Sequence, residues 1–441
     1  MSDGSVKVKF FTKEDDETIQ LNSENNAPIF APTSLKRFGL SEIVNHLLQS
    51  ETPVPFDFLI NGEIIRSTTS LEDYLVKNGL SHEVVLNIEY TRAILPPSFL
   101  ASFQNDDWIL SVDSWKGESI ISGGYDGIVR TYNMSGQITK QLAGHSGSIK
   151  NVKFISDTRI VTSGNDRQLR LWKVKGENAS VIDNEEDVEN GRTLAILEGH
   201  KAPAVNLAVQ GDRILSAGYD HVVGFWSTNY KEMAAIEFNK DDEESKLSTA
   251  SKKRRKLAIQ DSTIRRRSPL AMFEGHNQPV EGVIFDGKDS TVGYSCSQDH
   301  TVKTWDLVTG KNVDTRTTGY SLLSILHVPE HNLIATGSLA RHINLHDPRQ
   351  DSSSFKKLVG HTNFVVDLAA SPTNKLMFVS ASHDGTCKVW DVRSDRSMYT
   401  ITRNDEEAAK AKLKVFGVCW DQAIGIISGG EDKTIQINKG I

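Results

Sequence analysis

The stretch Thr162-Ser163-Gly164-Asn165-Asp166, which leads to Trp172, decides the fold because related stretches recur along the chain. They run from Ser216 to Trp226, from Ser295 to Trp305 and from Ser380 to Trp390, and a Gly-His pair stands upstream of each one. A repeat with a period of about forty residues is typical of a propeller or an array of repeats. The repeat therefore predicts the architecture of most of the chain.

Each repeat provides short strands and polar residues spaced so that they can meet. The runs at 159–163 and 168–172 predict two strands joined by a polar turn. We expect the His to donate hydrogen bonds to the Asp and to the Ser or Thr hydroxyl, and the Trp indole to donate to the same hydroxyl, because buried polar groups need partners. The expected structural tetrads are His145/Thr162/Asp166/Trp172, His200/Ser216/Asp220/Trp226, His276/Ser295/Asp299/Trp305 and His361/Ser380/Asp384/Trp390.

Three further repeats keep only part of this set, which brings the number of repeats to seven. Their residues at the equivalent positions are Ser122, Asp126 and Tyr132; Thr336, Ala340 and His346; and Ser428, Asp432 and Asn438. The widest spacings between repeats predict two loop insertions, an acidic one at 176–191 and an acidic and then basic one at 231–268.

These motifs, with the dipeptides Trp305-Asp306 and Trp390-Asp391, resemble the WD-repeat family. The resemblance implies an all-β, seven-bladed WD-repeat propeller over residues 98–441. The last repeat reaches only its third strand pattern, Thr434–Ile437, so its blade lacks an outer strand. We expect Ser98–Asn105 to supply that strand and so to close the ring.

Length and composition indicate two domains and a reduced cellular compartment. A chain of 441 residues exceeds one typical domain, and its net charge of −7 does not favour general binding to polyanions. No apolar run has the length of a membrane span, and the N-terminus lacks the features of a signal peptide. The three cysteines (Cys296, Cys387 and Cys419) have no paired spacing, which predicts neither a disulfide nor a zinc site.

The first hundred residues follow a different pattern. Alternating apolar residues predict strands near Val6–Phe10 and Leu86–Tyr90, and Leu40–Leu48 has helical spacing with Ser41 and Glu42 suited to the helix start. Asn61-Gly62 fits a tight hairpin turn. The order of strands and helices predicts a small α+β domain of the ubiquitin-like (β-grasp) type over residues 5–91.

Four stretches resemble the WD-repeat protein 12 family of ribosome-assembly factors: Ser34–Leu48, Glu89–Pro97, Thr263–Arg267 and Asp432–Gly440. The resemblance implies a scaffold for biogenesis of the large (60S) ribosomal subunit and maturation of its pre-rRNA, in the nucleolus and nucleoplasm of the nucleus. It implies that the propeller binds the block-of-proliferation protein, in a complex with pescadillo. It also implies that the ubiquitin-like domain binds midasin, an AAA-type ATPase that releases the complex from the pre-60S particle.

The same resemblance assigns a role to Glu83. In the family, an acidic residue before the last strand of the ubiquitin-like domain fills the open position of midasin's metal site, and it aligns with Glu83. A carboxylate suits a hard divalent cation. Without the resemblance, an isolated surface Glu would be interpreted as merely solvated.

The second insertion carries two basic clusters, whose residues are Lys252, Lys253, Arg254, Arg255 and Lys256, and then Arg265, Arg266 and Arg267. Two such clusters on a flexible polar loop predict an extended nuclear import signal. Contact with ribosomal RNA and a solvated run of charge are the alternatives.

Nothing in the sequence favours catalysis. The His and Asp residues recur once per repeat, which indicates packing, and no phosphate-binding loop, metal-ligand cluster or activated nucleophile is present. We therefore expect neither enzymatic activity nor a cofactor, and no metal of the chain's own. One alternative function remains: Trp390-Asp391-Val392-Arg393 matches the motif of substrate receptors of cullin-4 ubiquitin ligases.

Overall fold

The computed structural model describes residues 4–14, 17–21, 27–50, 52–65, 67–93, 95–174, 191–236, 264–351 and 355–440. The chain divides into two compact units, one reaching Pro96 and the other running from Pro97 to Gly440. The first is a small α+β unit and the second is almost entirely strand, which confirms the predicted fold class.

The first unit is one mixed sheet with two helices. Its sheet has the order β2-β1-β5-β3-β4, in which β1 and β5 are parallel. This order is that of a β-grasp fold. The elements are β1 (Ser5–Phe11), a 3₁₀ turn (Glu17–Ile19), β2 (Ile29–Pro32), α1 (Arg37–Leu48), β3 (Phe56–Ile60), β4 (Glu63–Ile64), α2 (Leu71–Lys77) and β5 (Val85–Arg92).

Local sequence explains most of this unit. Asn61 and Gly62 both have positive φ, as the predicted hairpin turn requires. Ser70 starts α2 with a capping box to Asp73. Helix α1, however, begins at Arg37, so the predicted start at Ser41 is wrong. The Ser41 hydroxyl instead accepts a hydrogen bond from the N–H of Phe56 at 3.2 Å and thereby joins the helix to β3.

The second unit consists of seven sheets, six of four strands and one of five. The first three strands of each sheet are consecutive in the chain. Blade 1 contains β7 (Ile109–Trp115), β8 (Ser119–Gly124), β9 (Ile128–Tyr132) and β10 (Ile138–Ala143). Blade 2 contains β11 (Ile149–Ser156), β12 (Arg159–Gly164), β13 (Leu169–Lys173) and β14 (Arg192–Leu197). Blade 3 contains β15 (Ala204–Gln210), β16 (Arg213–Gly218), β17 (Val222–Ser227) and β19 (Ala271–Glu274).

The remaining blades follow the same plan. Blade 4 contains β20 (Val280–Phe285), β21 (Val292–Ser297), β22 (Thr301–Asp306) and β23 (Lys311–Thr317). Blade 5 contains β24 (Leu322–Val328), β25 (Leu333–Ser338), β26 (His342–His346) and β27 (Phe355–Val359). Blade 6 contains β28 (Val365–Ala370), β29 (Met377–Ser382), β30 (Thr386–Asp391) and β31 (Tyr399–Thr402), after which α3 (Glu406–Ala411) leads to blade 7.

Blade 7 joins the two ends of the propeller. It contains β32 (Val415–Asp421), β33 (Gly425–Gly430) and β34 (Thr434–Lys439), and β34 pairs antiparallel with β6 (Ser98–Gln104). The outer strand of the last blade therefore comes from the segment before the first blade, as predicted. Hydrophobic clusters lie between neighbouring blades; Trp305 of blade 4, for example, packs with Leu215 of blade 3.

The second predicted insertion is only partly a loop. Residues 237–263 lie outside the described part of the chain, as do residues 175–190 of the first insertion. The ends of 231–268 are ordered: a 3₁₀ turn spans Tyr230–Glu232, and β18 (Arg266–Arg267) pairs in parallel with β14 as a fifth strand of blade 2. The prediction of a flexible loop is wrong for these ends, because backbone pairing fixes them.

Candidate functional site

The structure brings the members of each tetrad together. In blade 2, His145 Nδ1 lies 2.9 Å from Asp166 Oδ2, and His145 Nε2 lies 2.7 Å from Thr162 Oγ1. The Trp172 indole donates to the same hydroxyl at 2.9 Å. Equivalent contacts join the tetrads of blades 3, 4 and 6. Each tetrad fixes a turn to the second and third strands of its blade.

Charge and burial determine which atom donates in the tetrad of blade 6. Burial lowers the pKa of His361 despite its hydrogen bond to Asp384, so the imidazole is neutral. Its Nδ1–H then donates to Asp384, and Nε2 must accept from the Ser380 hydroxyl. The expectation that the His donates to both partners is therefore wrong in this blade, because a neutral imidazole carries one proton.

The Asp residues of the tetrads are held in the ionised form. Burial alone would raise the pKa of Asp384, but the hydrogen bonds that it accepts from His361, from the Thr386 hydroxyl and from the Thr362 N–H hold it well below the ordinary value. Asp299 is held low in the same way by His276. Because these pKa values are lower in the folded state, the carboxylates stabilise the fold above about pH 4, and that contribution is lost as the pH falls through the folded-state pKa.

Thr162→Val is expected to lower the free energy of unfolding by about 1–3 kcal/mol, because it removes the hydroxyl that His145 and Trp172 share while nearly preserving the volume. Thermal unfolding of the full chain measures the effect. Thr402→Val, at an exposed position of β31, is the matched control. Equal midpoints for the two variants would show that the shared hydroxyl contributes nothing.

The incomplete repeats use other partners. Ser122 Oγ lies 3.3 Å from the Tyr132 hydroxyl, and Thr336 Oγ1 lies 3.1 Å from His346 Nε2. In blade 1, Arg130 replaces the absent His: its guanidinium donates to Asp126 at 2.7 Å. The turn of that blade is thus held by an ion pair.

Blade 7 has a similar substitution that fixed spacing does not reveal. Arg403, which follows β31, donates to Ser428 Oγ at 3.0 Å and to Asp432 Oδ1 at 3.0 Å. These are the two partners that His contacts in a complete tetrad. Both side chains of the ion pair are buried. Asn438, at the Trp position, instead accepts from Gln436 at 2.9 Å.

Inside the ring, ionisable groups connect neighbouring blades. Lys153 Nζ of blade 2 lies 3.1 Å from Asp113 Oδ1 of blade 1. Asp367 of blade 6 accepts from the N–H of Val418 in blade 7 at 2.8 Å. Burial raises the pKa of Asp367 to about 6, although this N–H and the charge of Lys153 oppose the rise. Because these contacts join strands of neighbouring blades, we interpret them as interactions that hold the blades together.

Glu83 lies in the turn between α2 and β5 and is exposed. Its N–H donates to Ser81 Oγ at 3.4 Å, and the next N–H, of Val84, donates to the Ser81 carbonyl at 3.3 Å. Among the described residues its carboxylate has no hydrogen bond or ion pair. The carboxylate is therefore available to an external ligand, and its removal would leave no protein group without a partner.

An apolar strip lies on the sheet next to this turn. Phe30, Lys7 and Val85 occupy paired positions on β2, β1 and β5. Phe30 is 68% exposed, Val85 is 42% exposed, and Lys7 Nζ lies 5.2 Å from the centre of the Phe30 ring. Exposed apolar groups beside an unpaired carboxylate are typical of a protein contact.

The two basic clusters differ in what the structure describes. Lys252–Lys256 lies outside the described residues. Arg266 is buried in β18 and pairs with Glu198, while Arg265 donates to the Tyr230 hydroxyl at 2.8 Å. Arg266 and Arg267 thus form a strand attached to blade 2, with Arg265 directly before it, and the three arginines are not part of a flexible basic loop.

Arg393 of the Trp390–Arg393 motif is occupied within its own blade. Its guanidinium makes two hydrogen bonds to Asp391, of 3.0 and 2.8 Å, and its side chain is 20% exposed. This contact gives the motif a structural role in blade 6.

Within the described ranges, no three His, Cys, Asp or Glu side chains are placed to hold a metal ion. The helices of those ranges are too short or too polar to cross a membrane. Cys296, Cys387 and Cys419 are free thiols, and burial raises the pKa of Cys387 to about 11.

Comparison with known proteins gives the same two-part organisation. The model of the NLE (NUC135) domain matches residues 6–75, and that of the WD domain, G-beta repeat, matches 136–173, 267–306 and 352–391. The chain is 61% identical to ribosome biogenesis protein YTM1 of Candida albicans and 62% identical to that of Debaryomyces hansenii. The protein of that name in Kluyveromyces lactis is 61% identical, and each alignment spans 99% of this chain and 97% of the relative.

The chain belongs to the YTM1 family, that is, the WD-repeat protein 12 family. The family resemblance found in the sequence is thereby confirmed over the full chain. For this YTM1-family protein, the sequence pattern did not identify Arg130 and Arg403 as substitutes for His. The sequence offered one signal for Arg403: it is a cation in the segment between the motifs of the last two repeats, directly after the residues that form β31.

Proposed function

We propose that this YTM1-family chain is a non-catalytic scaffold in biogenesis of the large ribosomal subunit, including maturation of its pre-rRNA. The observation that carries the proposal is the full-length identity to proteins named as ribosome biogenesis proteins. The tetrads support a role without catalysis, because their His and Asp side chains are satisfied by one another once per blade.

In this proposal the two units bind different partners. The propeller binds the block-of-proliferation protein, which is in complex with pescadillo. The ubiquitin-like unit presents Glu83 to the metal site of the AAA ATPase midasin, which then releases the complex from the pre-60S particle. The exposed, unpartnered carboxylate of Glu83 and the neighbouring apolar strip support this assignment.

Affinity purification of the tagged protein at its normal level tests the scaffold. We expect the block-of-proliferation protein and pescadillo in near-equal amounts, together with large-subunit pre-ribosomal proteins, by quantitative mass spectrometry. Depletion of the protein should also reduce mature large-subunit rRNA. A cullin-4 adaptor in place of these partners would overturn the proposal. The contact between Arg393 and Asp391 gives that alternative no support.

Nuclear import is assigned to Lys252–Lys256 alone. An import receptor that takes up an extended basic segment could use Arg265–Arg267 only if β18 separated from β14. Replacing the five basic residues of 252–256 by Ala is therefore expected to move a fluorescent fusion from the nucleus and nucleolus to the cytoplasm. Arg265→Ala, which changes an exposed arginine next to β18, is the control. Loss of import in the control alone would refute the assignment.

A further inference from the structure

Blade 2 carries a row of three cations at the end of its sheet that lies opposite the tetrad turn. Arg159 begins β12 and pairs with Lys173 of β13, which pairs in turn with Arg192, the first residue of β14. Directly paired residues project from the same face of a sheet, and neighbouring strands lie about 4.8 Å apart, so the row spans roughly 10 Å. Lys173 and Arg192 are exposed, and neither Arg159 nor Lys173 has an ion pair within the described ranges.

The fold does not account for this row. In blade 4 the same three positions hold Val292, Asp306 and Lys311. The Asp306 carboxylate accepts the N–H of Val308 at 2.9 Å and so stabilises the turn that follows its strand. Lys173, at the equivalent position, cannot accept a hydrogen bond, and like charges that face each other on paired strands are destabilising. The row therefore lowers the stability of blade 2 unless an anion neutralises it.

The segment that contains β18 adds two arginines to the same face of blade 2. Leu171, two residues before Lys173, and Leu197, which pairs with Arg267, both belong to a hydrophobic cluster shared with blade 3. Side chains two residues apart in a strand share a face, so Lys173, Arg265 and Arg267 project from the side of the sheet that packs against blade 3. The resulting surface, which we call the basic face, consists of Arg159, Lys173, Arg192, Arg265 and Arg267.

Tyr230 of blade 3 holds two of these cations in place. The guanidinium carbons of Arg265 and Arg267 lie 5.3 and 5.8 Å from the centre of its ring, and Arg265 also donates to its hydroxyl. Guanidinium groups are attracted to the face of an aromatic ring, which orders them before any ligand arrives. Each guanidinium carries five N–H donors, so both arginines keep donors for an external acceptor.

Two glutamates in this region do not neutralise the basic face. Arg266 projects from the opposite face of β18 and pairs with Glu198. Glu232 accepts a hydrogen bond from Arg213 at 2.7 Å and another from the Ser227 hydroxyl at 2.9 Å. Both carboxylates are thus engaged by cations that lie outside the basic face.

The composition of the basic face favours RNA over a protein. All of its cations but Lys173 are arginines, whose planar guanidinium groups bind phosphate in a bidentate manner. A nucleic-acid backbone presents a negative charge at every nucleotide, which suits a row of cations along a sheet. Strands β12, β13, β14 and β18, all within the described residues, expose no large apolar side chain, whereas protein interfaces depend on apolar anchors. Because the Tyr230 ring is occupied by two guanidinium groups, it offers no open platform for base stacking.

We propose that the basic face of blade 2 binds the phosphate backbone of RNA without reading its sequence. The inference rests on the proposed function, in which the chain works on the pre-60S particle, whose pre-rRNA supplies the phosphates. The arginines of β18 thereby gain a role that differs from nuclear import, which is assigned to Lys252–Lys256.

Fluorescence anisotropy of the full chain with a labelled RNA stem-loop tests the inference. Lys173→Ala combined with Arg192→Ala and Arg265→Ala removes three exposed cations of the basic face. We expect this variant to bind the RNA about 10-fold or more weakly at physiological salt, because phosphate contacts dominate such affinity. Each lost contact should also reduce the slope of log K against log salt by about 0.7–0.9. Circular dichroism and thermal unfolding establish that the variant is folded.

The matched control is Lys311→Ala with Lys357→Ala and Arg396→Ala, which removes the same charge from exposed positions of blades 4, 5 and 6. It should bind the RNA as the wild type does. An equal loss of binding in both triple variants overturns the inference, and so does a wild type that does not bind the RNA, apart from the case of an internal occupant considered below, which also overturns it.

Purification from cells separates the inference from the function on which it rests. The basic-face variant should still co-purify with the block-of-proliferation protein and pescadillo, while its ultraviolet crosslinks to pre-rRNA decrease. The proposed function fails if the wild type lacks these partners. The inference fails if crosslinking to pre-rRNA does not depend on the basic face.

Two further probes identify other occupants. The segment between β13 and β14, which lies outside the described residues, contains Asp183, Glu185, Glu186, Asp187 and Glu189. If the wild type does not bind RNA but a chain with these five residues changed to the corresponding amides does, the occupant is the chain's own acidic segment and the inference is wrong. If oligoglutamate displaces the RNA at equal charge concentration, the basic face binds acidic protein and the inference is also wrong.

Discussion

Glu83→Ala is expected to abolish binding of the full chain to the metal-site domain of midasin while the ubiquitin-like unit stays folded. A hard divalent cation with an open position needs an anionic oxygen, which Ala cannot supply. Loss of one partner of a close charge pair weakens binding by about 30-fold or more. Within the described residues the carboxylate has no internal partner, so its removal costs the fold nothing.

Glu83→Asp provides a second test, because it keeps the negative charge and shortens the side chain by one methylene. If the oxygen must reach a metal at fixed distance, the Asp variant is also expected to bind poorly. Titration in the presence of Mg²⁺, with and without a chelator, measures the effect. Glu72→Ala, an exposed glutamate of α2, is the matched control. A folded Ala variant that binds midasin as the wild type does would disprove the role of Glu83.

Arg403→Leu is expected to produce the largest loss of stability, about 3–5 kcal/mol, because it leaves the buried charge of Asp432 without its partner. The damage should be greatest in blade 7, where Arg403 also donates to Ser428. Hydrogen exchange should therefore accelerate in β34 and β6 before the other blades. Since β6 closes the ring, the opening of this blade affects the whole propeller.

A double variant distinguishes the ion pair from simple loss of side-chain volume. Arg403→Leu with Asp432→Leu removes both charges, and we expect it to recover much of the lost stability. Arg349→Leu removes the cation of a pair with Asp347 in which the Arg349 side chain is 67% exposed, and it should change stability little. If the double variant loses as much stability as the Arg403→Leu and Asp432→Leu single variants lose in sum, the ion pair is not what stabilises blade 7.

The repeat could be predicted because its information is local. The turn, the Asp and the Trp of one blade lie within about ten residues, and the hydroxyl that joins Trp172 to His145 is set by that spacing. Ring closure could also be predicted, since the last repeat visibly lacks an outer strand. The role proposed for Glu83 had no local signal and depended on the family resemblance.

The positions of Arg403 and Arg266 could not be predicted from the repeat. Arg403 reaches the place of the His from the end of β31, and α3 lengthens the connection that follows, so a search at fixed spacing misses it. Arg266 was interpreted as part of a basic loop because its sequence is basic. Its burial against Glu198 results from pairing of β18 with β14, a strand from much earlier in the chain.

The sequence by itself determined the number of blades, the tetrads, the ubiquitin-like fold and the family, because each of these depends on short-range spacing or on identity along the chain. Only the tertiary structure decided which residues share a surface. Trp108 and Phe416 meet because β6 closes the ring and places blade 7 beside blade 1. A contact between residues so far apart in sequence is set by packing of the blades, which no local pattern records.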